Sequence, residues 1–156
     1  MTAKEYLNQI KLLNLKIDQK QEEREDLLKS AIYNSSPALT ERVQTSVSGD
    51  KMSRIVDRCV DMDKDINDMV MQYMEKRDRI INQIQALEDP RCVEILYHKY
   101  VGHRRSDGRM EYMRLEEIAC IMRKPNGSPY TYGHIRALHG KALKDFGIMY
   151  KSDIAM

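Results

Sequence analysis

From Met52 to Tyr73 the apolar side chains Met52, Ile55, Cys59, Met62, Ile66, Met69 and Tyr73 recur at alternating steps of three and four. That spacing draws a narrow stripe along an α-helix, the seam of a coiled coil, and constrains the stretch to a long helix packed lengthwise against another. After Tyr73 the phase slips, and Arg77, Ile80, Ile84 and Leu87 carry the stripe onward. A slip of this kind locally unwinds a coiled coil.

A partner lies upstream. Thr2 and Glu5 in TAKE suit a capping box, and Tyr6, Ile10, Leu13 and Ile17, then Leu27, Leu28, Ala31 and Ile32, predict a helix over 2–33. The polar stretch NSSPALTERVQTSVSGD, 34–50, breaks it with Pro37 and Gly49. Asp57, Asp61, Asp65 and Asp68 share one face of the second helix, where like charges four apart cost a few tenths of a kcal/mol each unless answered. Lys16, Lys20 and Arg24 form the opposite stripe on the first helix. An antiparallel hairpin folded about residue 42 brings Arg24 to Asp61, Lys20 to Asp65 and Lys16 to Asp68, with index sums of 84 to 85. Exposed pairs contribute only about 0 to 1 kcal/mol, so the match argues register. Pairing within one chain is the preferred geometry, and pairing between chains stays open. Either way so apolar a seam leaves a face unburied on a two-helix unit, which makes a homodimer the expectation. Asp61, Asp63 and Asp65 also spell the start of a calcium loop, but Ile66 and Gln72 stand where that loop needs Gly and Glu.

Composition agrees with an all-α chain. Of 156 residues 32% are charged and 42% apolar, with 7 Gly, 4 Pro, no Trp and 1 Phe, a soluble helical balance rather than a sheet. No apolar run approaches the roughly 18 residues of a membrane span, and MTAKEYLNQIK lacks a signal peptide's apolar stretch. The expected location is cytoplasmic, with no membrane partner. Cys59, Cys92 and Cys120 are odd in number, widely spaced and set among apolar residues. A disulfide framework and a CxxC zinc site are not expected, and each thiol is read as a buried small hydrophobe.

Asp89 and Pro90, a capping residue followed by a first-turn proline, mark a boundary. It divides the chain into 1–88, the helical hairpin that oligomerises, and 89–156. The first part carries 14 Lys+Arg against 16 Asp+Glu, the second 12 against 8 and all four histidines. The basic second part attracts an anionic partner. It opens with a short helix through Val93, Leu96, Tyr97 and Tyr100. A basic loop, GHRRSDGRME over 102–111, leads to a compact helix, LEEIACIM over 115–122, and KPNGSPY turns into a last helix containing IRALHGKALKDF, 135–146. In that last helix Ile135, Leu138, Ala142 and Phe146 form the core face, and Gly133, Ala137, Gly140 and Lys144 lie opposite, flanked by Arg136, Lys141 and His134. Gly inside a helix costs about 0.8 to 1 kcal/mol relative to Ala, which close approach to a partner surface would explain at Gly140. Three short helices ending in one with a basic outer face make a helix-turn-helix, whose final helix enters the major groove of double-stranded DNA. Arg136, Lys141 and Lys144 are placed to reach phosphates, Tyr130, Thr131 and Tyr132 to donate hydroxyls, and His134 and Ala137 to face bases. Arg104 and Arg105, with Arg109, are candidates for a neighbouring phosphate. His139, near the buried edge, is read as a packed or capping residue.

RLEEIACIM followed by IRALHGKALKDF resembles region 4 of bacterial sigma factors, in which a helix with leucine, an acidic residue, glutamate and isoleucine precedes a recognition helix of the pattern isoleucine-arginine-x-isoleucine-x-x-lysine-alanine-leucine. Ile135, Arg136, Leu138, Lys141, Ala142, Leu143 and Lys144 fill those places. With RVQTS at 42–46, the long helix and DPR, the chain is similar to sigma-region-4-like proteins of phages and prophages of Gram-positive bacteria, in the style of the ArpU and RinA late-operon regulators. The resemblance is specific mainly over 91–146. It implies a phage transcription regulator that binds DNA through 112–146 and has RNA polymerase as a further partner. The stretch between LEEI and IRAL is about six residues longer than in sigma factors. Their base-reading positions fall on Tyr132, Gly133, His134 and Ala137, none of which keeps the expected charged or amide side chain, so promoter-box specificity does not carry over.

No catalytic pattern is present: no GxxxxGK[ST] loop, GxSxG elbow or HExxH, and no histidine spaced to activate Cys120. His98 and His103 near Cys92 fit no metal-ligand spacing. The expectation is a binding protein that is not an enzyme, with no cofactor and no metal. The alternatives are a small-terminase-like DNA-packaging subunit and a protein-binding adaptor of RNA polymerase.

Overall fold

A computed structural model describes residues 1–34 and 47–155. RVQTS at 42–46 and the turn expected about residue 42 lie outside the described residues. The chain is mostly helical. Its elements are α1 (Ala3–Asn34), α2 (Val47–Gln85), α3 (Pro90–Leu96), a π-helical turn (Tyr97–Val101), β1 (His103–Arg104), β2 (Met110–Glu111), α4 (Leu115–Ile121), α5 (Tyr132–Met149) and α6 (Lys151–Ala155). The second long helix starts at Val47, so Gly49 lies inside α2 rather than in the break expected to reach residue 50.

Two compact units are present. One comprises Met1–Asn14 with Tyr73–Met156, the other Leu15–Gln72. The boundary expected at residue 88 falls inside the first of these.

In Leu15–Gln72, Lys20 pairs with Asp65 at 3.3 Å as expected, whereas Arg24 grips Asp63, its Nη2 donating to Oδ2 at 3.0 Å, instead of Asp61. The helix period of about 100° per residue explains the shift: Asp63 and Asp65 flank the seam on either side, while Asp61 points away from it. Lys16 and Asp68 form no ion pair among the described residues. The seam itself is buried at Cys59, Met62 and Ile66 and half-buried at Ile55 and Met69, but Met52 is exposed.

The other unit is built on caps legible in the chain. Thr2 Oγ1 accepts from the Glu5 amide at 3.2 Å and the Thr2 amide donates to Glu5 Oε2 at 2.6 Å, the reciprocal box at the start of α1. Those bonds hold the Glu5 carboxyl below its ordinary pKa. Asp89 Oδ1 accepts from the Arg91 amide at 3.0 Å and Pro90 opens α3. Thr131 Oγ1 accepts from the His134 amide at 3.3 Å and begins α5. Tyr6 meets Phe146 with ring centroids 6.1 Å apart. The buried Gln83 amide is answered at both ends, by the Tyr6 hydroxyl at 3.1 Å and Asp153 Oδ2 at 2.8 Å.

Helices α3, α4 and α5 share a core of Ile95, Ile118, Ala119, Met122, Tyr130, Ile135 and Leu138, with Met113 and Leu115 at its edge. Cys92 and Cys59 are buried, but Cys120 is exposed, because it lies two residues, roughly 200° of helix, beyond the buried Ile118. The basic stretch 102–111 is a small antiparallel hairpin, pairing His103 with Glu111 and Arg104 with Met110. Gly102 makes that hairpin possible. Its φ of 66° and ψ of −168° belong to a region almost closed to other residues, and a side chain there would collide with the Glu111 carbonyl.

Candidate nucleic-acid interface

The four core positions expected on α5, Ile135, Leu138, Ala142 and Phe146, are all buried, which turns Gly133, Ala137, Gly140 and Lys144 outward, each of them exposed. A Cβ placed on Gly133 or Gly140 meets nothing within 4 Å. Packing among the described residues therefore gives no reason for glycine at 140, where the helix carries a cost of about 1 kcal/mol.

The flanks of this strip differ in ion pairing. On one side Arg136 is exposed, and among the described residues neither it nor Lys144 forms an ion pair. On the other side Lys141 is committed: its Nζ donates to Asp89 Oδ2 at 2.9 Å, tying α5 to the cap of α3. Arg91 holds the same carboxylate through Nε at 3.1 Å and Nη2 at 2.9 Å. Hydrogen bonding to Arg91, then to Lys141, keeps the Asp89 carboxyl far below the usual carboxylate range.

At the amino end of α5 the expected donors separate. Tyr132 is 45% exposed, and Thr131 and His134 are exposed as well, although the Thr131 oxygen is engaged in its cap. Tyr130 is not on the outer face. It is 7% exposed, its ring sits in the α3–α4–α5 core, and toward the outside it meets the edge of His134, at 5.0 Å between centroids, Lys124 above the ring at 5.7 Å, and the Arg91 side chain. A phenol ring is large enough to be drawn into a core while its hydroxyl reaches the margin. The turn before α5 is closed by Asn126 Oδ1, which accepts from the Ser128 amide at 3.1 Å and hydroxyl at 2.6 Å.

Arg104 and Arg105 stand on the 103–111 hairpin, both exposed, and both are partly occupied locally. Arg104 Nη1 donates to the Gly108 carbonyl at 3.2 Å and Arg105 Nε lies 3.8 Å from Asp107.

No family model, no curated protein and no solved structure matches this chain.

Among the described residues no group of three or more His, Cys, Asp or Glu side chains is arranged to hold a metal ion, and no helix is long and apolar enough to cross a membrane. His139 is packed, as expected: its Nε2 lies 3.0 Å from the Tyr100 hydroxyl and the rings stack at 5.9 Å. Burial, with the charges of Lys99, Lys4 and Lys11 adding to it, pushes His139 down to about 4, so the imidazole is neutral at pH 7. Those lysines were not singled out in the sequence, because α1 and the π-helical turn that carry them are far apart in the chain and their convergence leaves no local pattern.

Proposed function

We propose that the chain is a sequence-specific DNA-binding regulator of the sigma-region-4-like phage type. In this reading α4 and α5 act as a helix-turn-helix, and α1 and α2 form an antiparallel hairpin that joins two copies. The observation that carries it is the outward side of α5: Gly133, Ala137 and Gly140 leave the backbone open to close approach, and Arg136 and Lys144 border the strip with no acidic partner among the described residues. A groove wall can approach such a strip, and the cations on its border reach phosphates. The opposite residue order of the pairs Lys20–Asp65 and Arg24–Asp63 supports the hairpin. The exposed Val56, Val60 and Met71 of α2 support a second copy on its free side. RNA polymerase is the further partner in the same reading.

Duplex binding is tested by fluorescence anisotropy across a salt series. Arg136, Lys144 and Arg104, which face no carboxylate among the described residues, each neutralising one phosphate give a slope of log K against log salt near −0.9 per contact, about −2.7 per chain. Replacing both Arg136 and Lys144 by Glu is expected to weaken binding more than about tenfold and to flatten the slope by about 1.8 per chain. Unchanged duplex affinity in that variant removes DNA as the partner of α5 and leaves a protein surface.

A further inference from the structure

Lys4 and Lys11 of α1, Lys99 of the π-helical turn and His139 of α5 meet in one place. The geometry is anchored by two tyrosines: Lys11 Nζ stands 5.2 Å from the centroid of the Tyr100 ring and 4.7 Å from that of Tyr112, and the Tyr100 hydroxyl meets His139 at 3.0 Å. The charges of Lys99, Lys4 and Lys11 all act on His139, Lys99 acts on Lys11, and Lys4 acts on Lys99. Among the described residues Glu116 of α4 brings a carboxylate charge to the group, through Lys99. Among the described residues Lys4, Lys11 and Lys99 form no ion pair.

Lys99 repels both Lys11 and Lys4, and the half-burial of Lys11 and Lys99 weakens the water that would screen them. Burial and Lys99 together bring Lys11 down to about 8, and burial first, then Lys4, lowers Lys99. The faces of Tyr100 and Tyr112 attract the Lys11 ammonium, but they supply no negative charge to the other two. A bound anion would reverse the sign of the interaction for all three at once.

We propose that Lys11, set against Tyr100 and Tyr112, forms with Lys4 and Lys99 a binding site for a phosphate-type oxyanion. Ammonium groups bind phosphate as point charges, and a multiply charged phosphoryl group balances this cluster where a single carboxylate does not. Its source is either the backbone of a duplex, in which case the site rests on the function proposed above and widens the contact, or a free phosphoryl compound, in which case it stands alone.

Lysine acylation by a small succinimidyl ester at pH 7.5, quantified residue by residue by mass spectrometry, separates the two. The full chain is treated with inorganic pyrophosphate, with a short DNA duplex, or with chloride at matched ionic strength. The exposed Lys51 serves as reference. A neutral amine is the nucleophile, and each unit of pKa regained by Lys11 reduces its neutral fraction up to tenfold. Protection of Lys11 by about fivefold or more over Lys51 is therefore expected in at least one arm. Protection by pyrophosphate assigns a free phosphoryl ligand whatever becomes of duplex binding, and protection by duplex alone assigns the backbone. Equal acylation of Lys11 in all three conditions overturns the site. Lys11→Met keeps a flexible chain on the two rings and is expected to weaken the protecting ligand about fivefold or more. Undiminished affinity in that variant overturns the site too.

Discussion

Asp89 combines two roles that substitution can separate. One carboxylate oxygen caps α3 through the Arg91 amide at 3.0 Å, while the side chains of Arg91 and Lys141 close on it at 2.9 Å each, and the Asp89 side chain is only 16% exposed. Asp89→Asn preserves an oxygen for the cap and removes the charge, whereas Asp89→Ala removes both. Loss of an N-cap costs about 1 kcal/mol, and each half-exposed ion pair at most about 1 more. The alanine variant is thus expected to lose about 1.5 to 2.5 kcal/mol and the asparagine variant about 1 kcal/mol less. In a chain of this size each kcal/mol moves Tm by about 2 to 4 °C. The sign with pH follows from a lowered folded-state pKa: the contribution is present above the ordinary value of 3.8 and is lost as pH falls below it toward the folded value. Urea unfolding at pH 7 and in steps below pH 4 should show the gap between wild type and Asp89→Ala narrowing on acidification. Both variants also release Lys141, so in the proposed function their duplex affinity rises and the salt slope steepens by up to about 0.9. Asparagine costing as much as alanine at pH 7 would refute the capping assignment. A gap that does not narrow in acid would refute the ionic one.

Gly140→Ala is expected to raise stability by about 0.8 to 1 kcal/mol, because the added methyl meets nothing within 4 Å, and, in the proposed function, to reduce duplex affinity by filling the strip that would face the groove. Thermal melting and anisotropy on the same protein check the opposed signs. His139 titrates lower in the folded chain, about 4 against an ordinary 6.5, chiefly through burial. Between those values the unfolded chain takes up the proton first, so stability falls as pH drops through that window. His139→Gln, which keeps a partner for Tyr100, is expected to lose much of that slope when Tm is followed from pH 7 to 4.5.

The helices and the buried face of α5 were legible because burial repeats with the helix period: Ile135, Leu138, Ala142 and Phe146 are apolar at the spacing that one face requires. The cap at Asp89 was legible because it is local, two residues from its acceptor's donor. Its second partner was not, since Lys141 lies 52 residues on and no pattern links the two. Tyr130 misled for a different reason. Its hydroxyl suggested an outward donor, but its ring is worth more in the core than at the surface. The 102–111 hairpin was hidden by its brevity: two-residue strands carry no alternation, and what closes them is the conformation of Gly102, the Arg105–Arg109 backbone bond at 2.8 Å and the reach of the Met113 amide to the His98 carbonyl at 3.1 Å. At the candidate interface the open strip and Arg136 could be read from the sequence, whereas the state of each cation could not.

That state decides how much each cation can contribute to an anionic partner. Residues 89–156 carry 12 Lys+Arg, but a cation already facing a carboxylate, as Lys141 faces Asp89 at 2.9 Å, gains a phosphate only by giving up an equivalent partner. It therefore adds little net attraction. Among the described residues Arg136 and Lys144 have no such partner to lose, and Lys99 has repulsion with Lys4 and Lys11 to relieve. Binding strength should consequently follow the unopposed cations and not the formal charge. Neutralising Lys141 should then change affinity far less than neutralising Arg136, although the two stand on the same helix and carry the same charge.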